Sequence, residues 1–168
     1  VTARFTLWEG TNFIHGQDLV GRKMNMKGGE PFKKWVAEIK DFIETKKNDQ
    51  FAKEFEVMAE AFASYQGMVD KVYDWHKNNI PMRQLFATRM LHASARIYCG
   101  KLMLSQGLVA AQKLAELGED HFDAKFYKSK INTVKFYINN IVTDIFAYEK
   151  AFNNADTSSI DMDEEMFM

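Results

Sequence analysis

A carboxylate followed directly by a glycine and then by a helix N-terminus is an arrangement that general-base chemistry can use. This chain carries one at Trp8, Glu9, Gly10, Thr11 and Asn12. Two short polar residues and then helical apolar spacing put Glu9 on a turn just ahead of a helix. The same residues also make an ordinary turn and helix cap, so the choice between base and cap rests on what surrounds them. Other constellations offer less. A di-iron bundle needs Glu three residues before His, and none of His15, His76, His92 and His121 has it, so no metal site is expected. His76, at a helix end, reads as a solvated or capping imidazole. Nucleophile-elbow, Walker and Rossmann glycine motifs are absent, and Gly28 with Gly29 is better read as a helix stop than as a phosphate cradle. Arg89, His92 and Arg96 share one helical face, as a basic ridge or as a solvated surface. Cys99 lies inside a helical pattern, as a packed thiol rather than a nucleophile.

These residues need elements to hold them. A short helix capped by Thr11 or Asn12 is expected to run to about Lys23 and to stop at Lys27, Gly28 and Gly29. Glu30 and Pro31 open a second, along which Phe32, Trp35, Val36, Ile39, Phe42 and Ile43 keep one apolar stripe to about Lys46. In a third, Phe51, Phe55, Met58, Phe62, Tyr65, Val69 and Val72 alternate steps of four and three, as a bundle seam requires. After a turn at Asn78 to Pro81, a fourth helix is expected from Met82 to Leu117. It has Phe86, Met90, Ala93, Ile97, Leu104, Leu108, Ala111 and Leu114 inward and a bend or break at Gly100 or Gly107. A turn at Gly118 leads to a last helix with Tyr127, Ile131, Val134, Ile138, Ile141, Ile145, Tyr148 and Phe152 inward. The tail beyond Ala155 is acidic and expected to be mobile.

Composition agrees with that layout. Fourteen Phe, ten Met, six Tyr and three Trp supply a core, while two Pro and nine Gly leave room for long helices, so the fold class is all-α: an antiparallel four-helix bundle preceded by a loop and one short helix. A net charge of -1 with interspersed signs disfavours nucleic acid as a partner. A lone cysteine fits a reducing compartment. No apolar run is long enough to span a membrane. Val1 to Phe5 reads as an internal stretch of a longer polypeptide, with neither initiator Met nor leader.

Leu7-Trp8-Glu9-Gly10-Thr11-Asn12-Phe13-Ile14 followed by Asp18-Leu19-Val20-Gly21-Arg22-Lys23 closely resembles the C-terminal active-site segment of acyl-CoA dehydrogenases, in the bacterial branch with an appended C-terminal helical domain. Residues 4–23 carry the match; Phe122 to Lys130 resembles the appended domain more loosely. The resemblance implies a division into 1–26, the end of the dehydrogenase helical domain with its catalytic loop; 30–155, the appended bundle; and 156–168, the tail. It implies an FAD-dependent α,β-dehydrogenation of an acyl-CoA thioester to a trans-2-enoyl-CoA. Glu9 is then the α-proton base, Gly10 lets thioester and flavin approach the backbone, and Arg22 reaches a phosphate or pairs with Asp18. Thr11 and Phe13 occupy positions that usually meet the flavin. The family commonly carries Gly or Gln where Phe13 stands, which leaves stacking or packing as its role. A glutamate is a weak base in water, and desolvation by acyl chain and flavin raises its proton affinity and improves it. Trp8 can exclude water or simply pack. Also implied are an electron-transferring flavoprotein as partner, a homo-oligomer, a bacterial cytoplasmic location, and inactivity of these residues alone, since most of the FAD cavity lies in other domains. The competing reading is a non-catalytic helical interaction or oligomerisation module.

Overall fold

A computed structural model describes residues 11–167 of the chain. Helix α1 is Asn12–Gly21, followed by a tight 3₁₀ connector, Lys23–Gly29; α2 is Glu30–Thr45 and α3 Ala52–Asn78. A short α4, Ile80–Leu85, leads into α5, Ala87–Leu117; α6 is Ala124–Tyr137 and α7 Asp144–Asn154, with a π-helical turn, Ile138–Val142, between them. The described residues contain no strand. The all-α expectation holds.

Side-chain pairings give the directions of the helices. Trp35 meets Tyr65 and Phe42 meets Phe55, so α2 and α3 run antiparallel. The Tyr65 and Ser94 hydroxyls bond at 2.9 Å, while a side chain added at Gly100 or Gly107 would strike Met58 or Phe51, which makes α3 and α5 antiparallel too. Gly100 abuts Val142 and Gly107 abuts Val134, reversing the chain again from α5 to α6 and the π turn after it. Glu54 pairs with Asn139 and Ser64 with Glu149, so α3 lies parallel to α6 and α7, as up-down-up-down connectivity demands. Short turns enforce this order: Asn48 caps α3's approach through the Gln50 N–H, and the Asn79 side chain accepts from the Met82 N–H at the start of α4, where Pro81 fits because its missing donor is not needed.

The seven seam residues from Phe51, in the turn before α3, to Val72 are buried, as are Phe86 between α4 and α5 and Met90, Ala93, Ile97 and Leu104 of α5, whereas Leu108, Ala111 and Leu114 are only partly buried. Trp75, Phe86 and Phe152 form an aromatic triad with centroids 4.8 to 5.5 Å apart. The expected break at Gly100 or Gly107 is not there. The interruption falls at Phe86 (φ -92°, ψ 0°), where the chain turns and the Phe86 ring enters the triad. α5 continues unbroken through both glycines, about 46 Å at 1.5 Å per residue. They serve close approach: a Cβ on Gly100 would lie 2.8 Å from Met58 Sδ, and one on Gly107 2.9 Å from Phe51 Cζ.

The last seam also departs from expectation. Ile141 is only partly buried and Val142 is fully buried in its place. The π turn widens the helix there, so the inward step from Ile138 is four residues and the next, to Ile145, three. Cys99, expected to be packed, is exposed on α5 beside Tyr137. Burial, with the thiol adjacent, pushes the Tyr137 hydroxyl up to about 12.

Candidate functional site

The sequence placed the chemistry at the start of α1. Glu9 and Gly10 lie outside the described residues, and the structure shows how the helix after them is seated. Thr11 is the N-cap, its carbonyl accepting from the His15 N–H at 3.0 Å, but its side chain does not cap the first-turn amides. Phe13 is 58 % and Ile14 64 % exposed. Gly16 is the residue on which α1 rests. A Cβ there would lie 2.9 Å from the Ala87 carbonyl carbon and 3.1 Å from the Thr88 nitrogen, so α1 touches the backbone of α5 directly.

Beside Gly16, the Gln17 side-chain amide donates to the Gln84 carbonyl at 2.8 Å. Val20 and Met24 are fully buried and continuous with the bundle core. Arg22, the predicted phosphate ligand, makes a two-pronged ion pair with Asp18 at 2.6 and 3.1 Å on an exposed surface. The guanidinium holds the Asp18 carboxyl below its usual range. Of the two readings of Arg22, the structure shows the pairing with Asp18, which a phosphate would have to displace.

The C-terminal end of α1 is closed by residues that sequence spacing does not pair. Lys27, Gly28 and Gly29 all have positive φ, and at Gly29 a Cβ would meet the Met24 carbonyl oxygen at 3.1 Å. The Tyr73 hydroxyl donates to that carbonyl at 2.9 Å. Asn25 donates to the Val20 carbonyl at 3.3 Å and sits 3.5 Å from His76 Nδ1, which accepts from Arg83 Nη1 at 2.7 Å. His76 is therefore half-buried and bonded rather than solvated. The only signal for the seat was Gly16 standing inside a helical pattern; nothing local signalled the His76 contacts, since Arg83 and Asn25 are seven and fifty-one residues away.

The remaining candidates do not converge on a ligand. Arg89 lies over Phe86 at 5.2 Å, and Arg96 lies over Tyr148 while donating to Asp144 at 2.8 Å. Burial and the nearby Arg96 push the His92 imidazole down. Among the described residues no three His, Cys, Asp or Glu side chains gather as a metal site, and no helix is long and apolar enough to cross a membrane.

Comparison with known proteins matches residues 35–163, most of the chain, to the family described as acetyl-CoA dehydrogenase C-terminal like. The chain belongs to this family. The matched stretch begins within α2, so the dehydrogenase C-terminal family covers the bundle and stops short of α1. Similarity to individual proteins extends further. Two butyryl-CoA dehydrogenases of Syntrophomonas wolfei subsp. wolfei are 58 % and 57 % identical to the chain over 164 residues, 98 % of its length. The chain spans 27 % of the length of each. The dehydrogenase C-terminal fold is thus an all-α bundle with α1 seated against it through Gly16, Val20 and Met24.

Proposed function

We propose that the chain is the C-terminal part of an FAD-dependent acyl-CoA dehydrogenase and that Glu9 is its catalytic base. The observation that supports this most is the 57–58 % identity to butyryl-CoA dehydrogenases over 164 residues, which suggests a short saturated acyl-CoA such as butyryl-CoA as substrate. Glu9 takes the α-proton of the thioester as a hydride departs from the β-carbon, and the electrons of the broken α-C–H bond form the new double bond. Thioester and base require close approach, which Gly10 permits. The Glu9 backbone N–H is suited to stabilise the developing enolate oxygen. Residues 1–26 act as the catalytic end of the dehydrogenase domain and 30–155 as the appended bundle.

The residues at hand fit the flavin in part. α1 begins just after Thr11, and a helix N-terminus is a suitable place for an anionic diphosphate. Phe13 is exposed enough to lie against a flat ring system. When bound, FAD accepts the hydride; an electron-transferring flavoprotein is the proposed next acceptor, in the bacterial cytoplasm. Thr11 and Phe13 supply one edge of such a site, so the chain alone is expected to be inactive. The test is exchange of the butyryl-CoA α-protons with D2O in the full-length dehydrogenase. Glu9→Gln should abolish exchange while keeping the oxidised flavin spectrum; exchange at the unsubstituted rate would remove Glu9 from the role.

A further inference from the structure

The bundle grips α1 from its second turn onward. Phe13, Ile14 and His15 are exposed, whereas Gly16 and Val20 are buried. Two contacts of that second turn fall on the break between α4 and α5. Gly16 lies on the Ala87–Thr88 peptide, with 2.9 Å between the position of a Cβ and the Ala87 carbonyl carbon, and the Gln17 amide donates to the Gln84 carbonyl at 2.8 Å. The break makes that carbonyl available. In an unbroken α-helix the Gln84 oxygen would take the Thr88 N–H; Phe86, at φ -92° and ψ 0°, interrupts the helix between them, and the oxygen meets Gln17 instead. Arg83, one residue earlier, lays its guanidinium against the far end of α1, with Nη2 3.8 Å from the position of a Cβ on Gly21. Residues 83–88 thus address Gly16, Gln17 and Gly21 of one helix.

The same helix carries the proposed base on its leading end. Glu9 stands two residues ahead of Thr11, the N-cap of α1. At ~3.5 Å of chain per residue, Glu9 is tied to within about 7 Å of wherever α1 begins. Proton abstraction needs the base within hydrogen-bond reach of the α-carbon, and a misplacement of about 1 Å costs on the order of a hundredfold in rate. The Gln17 bond lies at the surface, so its removal leaves the core as it is.

We propose that the α4–α5 break is the socket of the catalytic end of the chain and that Gln17 is a positioning residue. Its bond to the Gln84 carbonyl fixes where α1 begins, and thereby the aim of Glu9 at the α-carbon of the thioester. The proposal rests on Glu9 being the base. It gives the bundle a part in the reaction without placing any bundle residue against the substrate.

The test is the kinetics of flavin bleaching by butyryl-CoA in the full-length dehydrogenase. Gln17→Glu keeps the shape of the side chain and turns the donor into a carboxylate oxygen facing the Gln84 carbonyl. It should lower kcat by about tenfold or more, with KM for butyryl-CoA, flavin content and thermal midpoint unchanged. Gln17→Lys, which restores an N–H donor, should recover most of the rate. Gly107→Ala, about 30 Å along α5 from Ala87 at 1.5 Å per residue, should lose stability and keep its rate. In a Glu9→Gln background Gln17→Glu should cost nothing further, because it acts through the base. A Gln17→Glu enzyme at the unsubstituted kcat, with Glu9→Gln inactive, overturns the socket and leaves the base in place. So does a loss of rate that comes with lost flavin, that Gly107→Ala shares, that multiplies the loss in Glu9→Gln, or that Gln17→Lys fails to recover. A Glu9→Gln enzyme at the unsubstituted rate removes the base, and the role of the socket with it.

Discussion

Replacing Gly16 with alanine tests whether α1 is fixed to α5 by backbone contact. The new Cβ would sit 2.9 Å from the Ala87 carbonyl carbon, 3.0 Å from its oxygen and 3.1 Å from the Thr88 nitrogen. Backbone of a packed helix does not rotate away as a side-chain tip does, so α1 must lift by several tenths of an ångström and loosen the contacts of Val20 and Met24. Overpacking of this kind costs about 1–3 kcal/mol. Alanine in a helix interior gains back about 1 kcal/mol over glycine, which leaves a net loss of about 0–2 kcal/mol. Gly67 supplies the control. It lies inside α3, exposed, with nothing within 4 Å of a Cβ, so Gly67→Ala should show the propensity gain alone, about 0.5–1 kcal/mol of stabilisation. Thermal unfolding followed by circular dichroism should separate the two, down by up to about 8 °C for Gly16→Ala and up by about 1–4 °C for Gly67→Ala. A Gly16→Ala protein as stable as Gly67→Ala would refute the backbone seat.

Gly107→Ala should cost about 1–3 kcal/mol in urea unfolding because its Cβ meets the Phe51 ring and Val134, whereas Gly100→Ala should cost less because its nearest neighbour is the flexible Met58 side chain. Ser94→Ala should cost about 1–3 kcal/mol by leaving the fully buried Tyr65 hydroxyl without its partner. Tyr65→Phe should cost less, because Ser94 keeps its bond to the Met90 carbonyl. A double-mutant cycle in urea would show the coupling. At alkaline pH the raised Tyr137 hydroxyl favours the neutral form in the folded state. Its stabilising contribution is present below about pH 10, the ordinary tyrosine value, and is lost as pH rises through about 12. Stability measured from pH 9 to 12 should therefore fall less steeply in Tyr137→Phe. Arg22→Ala should leave the thermal unfolding midpoint essentially unchanged, since the Asp18 pair is exposed and screened by solvent.

Much of the bundle was legible because burial in a helix repeats at 3.6 residues, and the α3 seam from Phe51 to Val72 follows that repeat without interruption. The turn between α3 and α4 near Pro81 was readable because its chemistry is local. What sequence spacing missed depends on contacts between distant segments. Gly100 and Gly107 look like weak points in a helix until Met58 and Phe51 are seen against them. Val142 replaces Ile141 in the core because a π turn shifts the register, and no residue type announces such a turn. At the site, Glu9, Gly10 and Thr11 stood out through family resemblance more than through their own chemistry, which a turn and cap would also explain. The seat of α1 on Ala87 and the contact of Arg83 with His76 required the fold.

The role of Glu9 is tested most directly by the rate at which butyryl-CoA bleaches the flavin of the full-length dehydrogenase, with and without Glu9→Gln. Loss of a general base predicts a fall of about 10²–10⁴-fold at unchanged flavin content. A Glu9→Gln enzyme that bleaches at the unsubstituted rate would contradict the assignment.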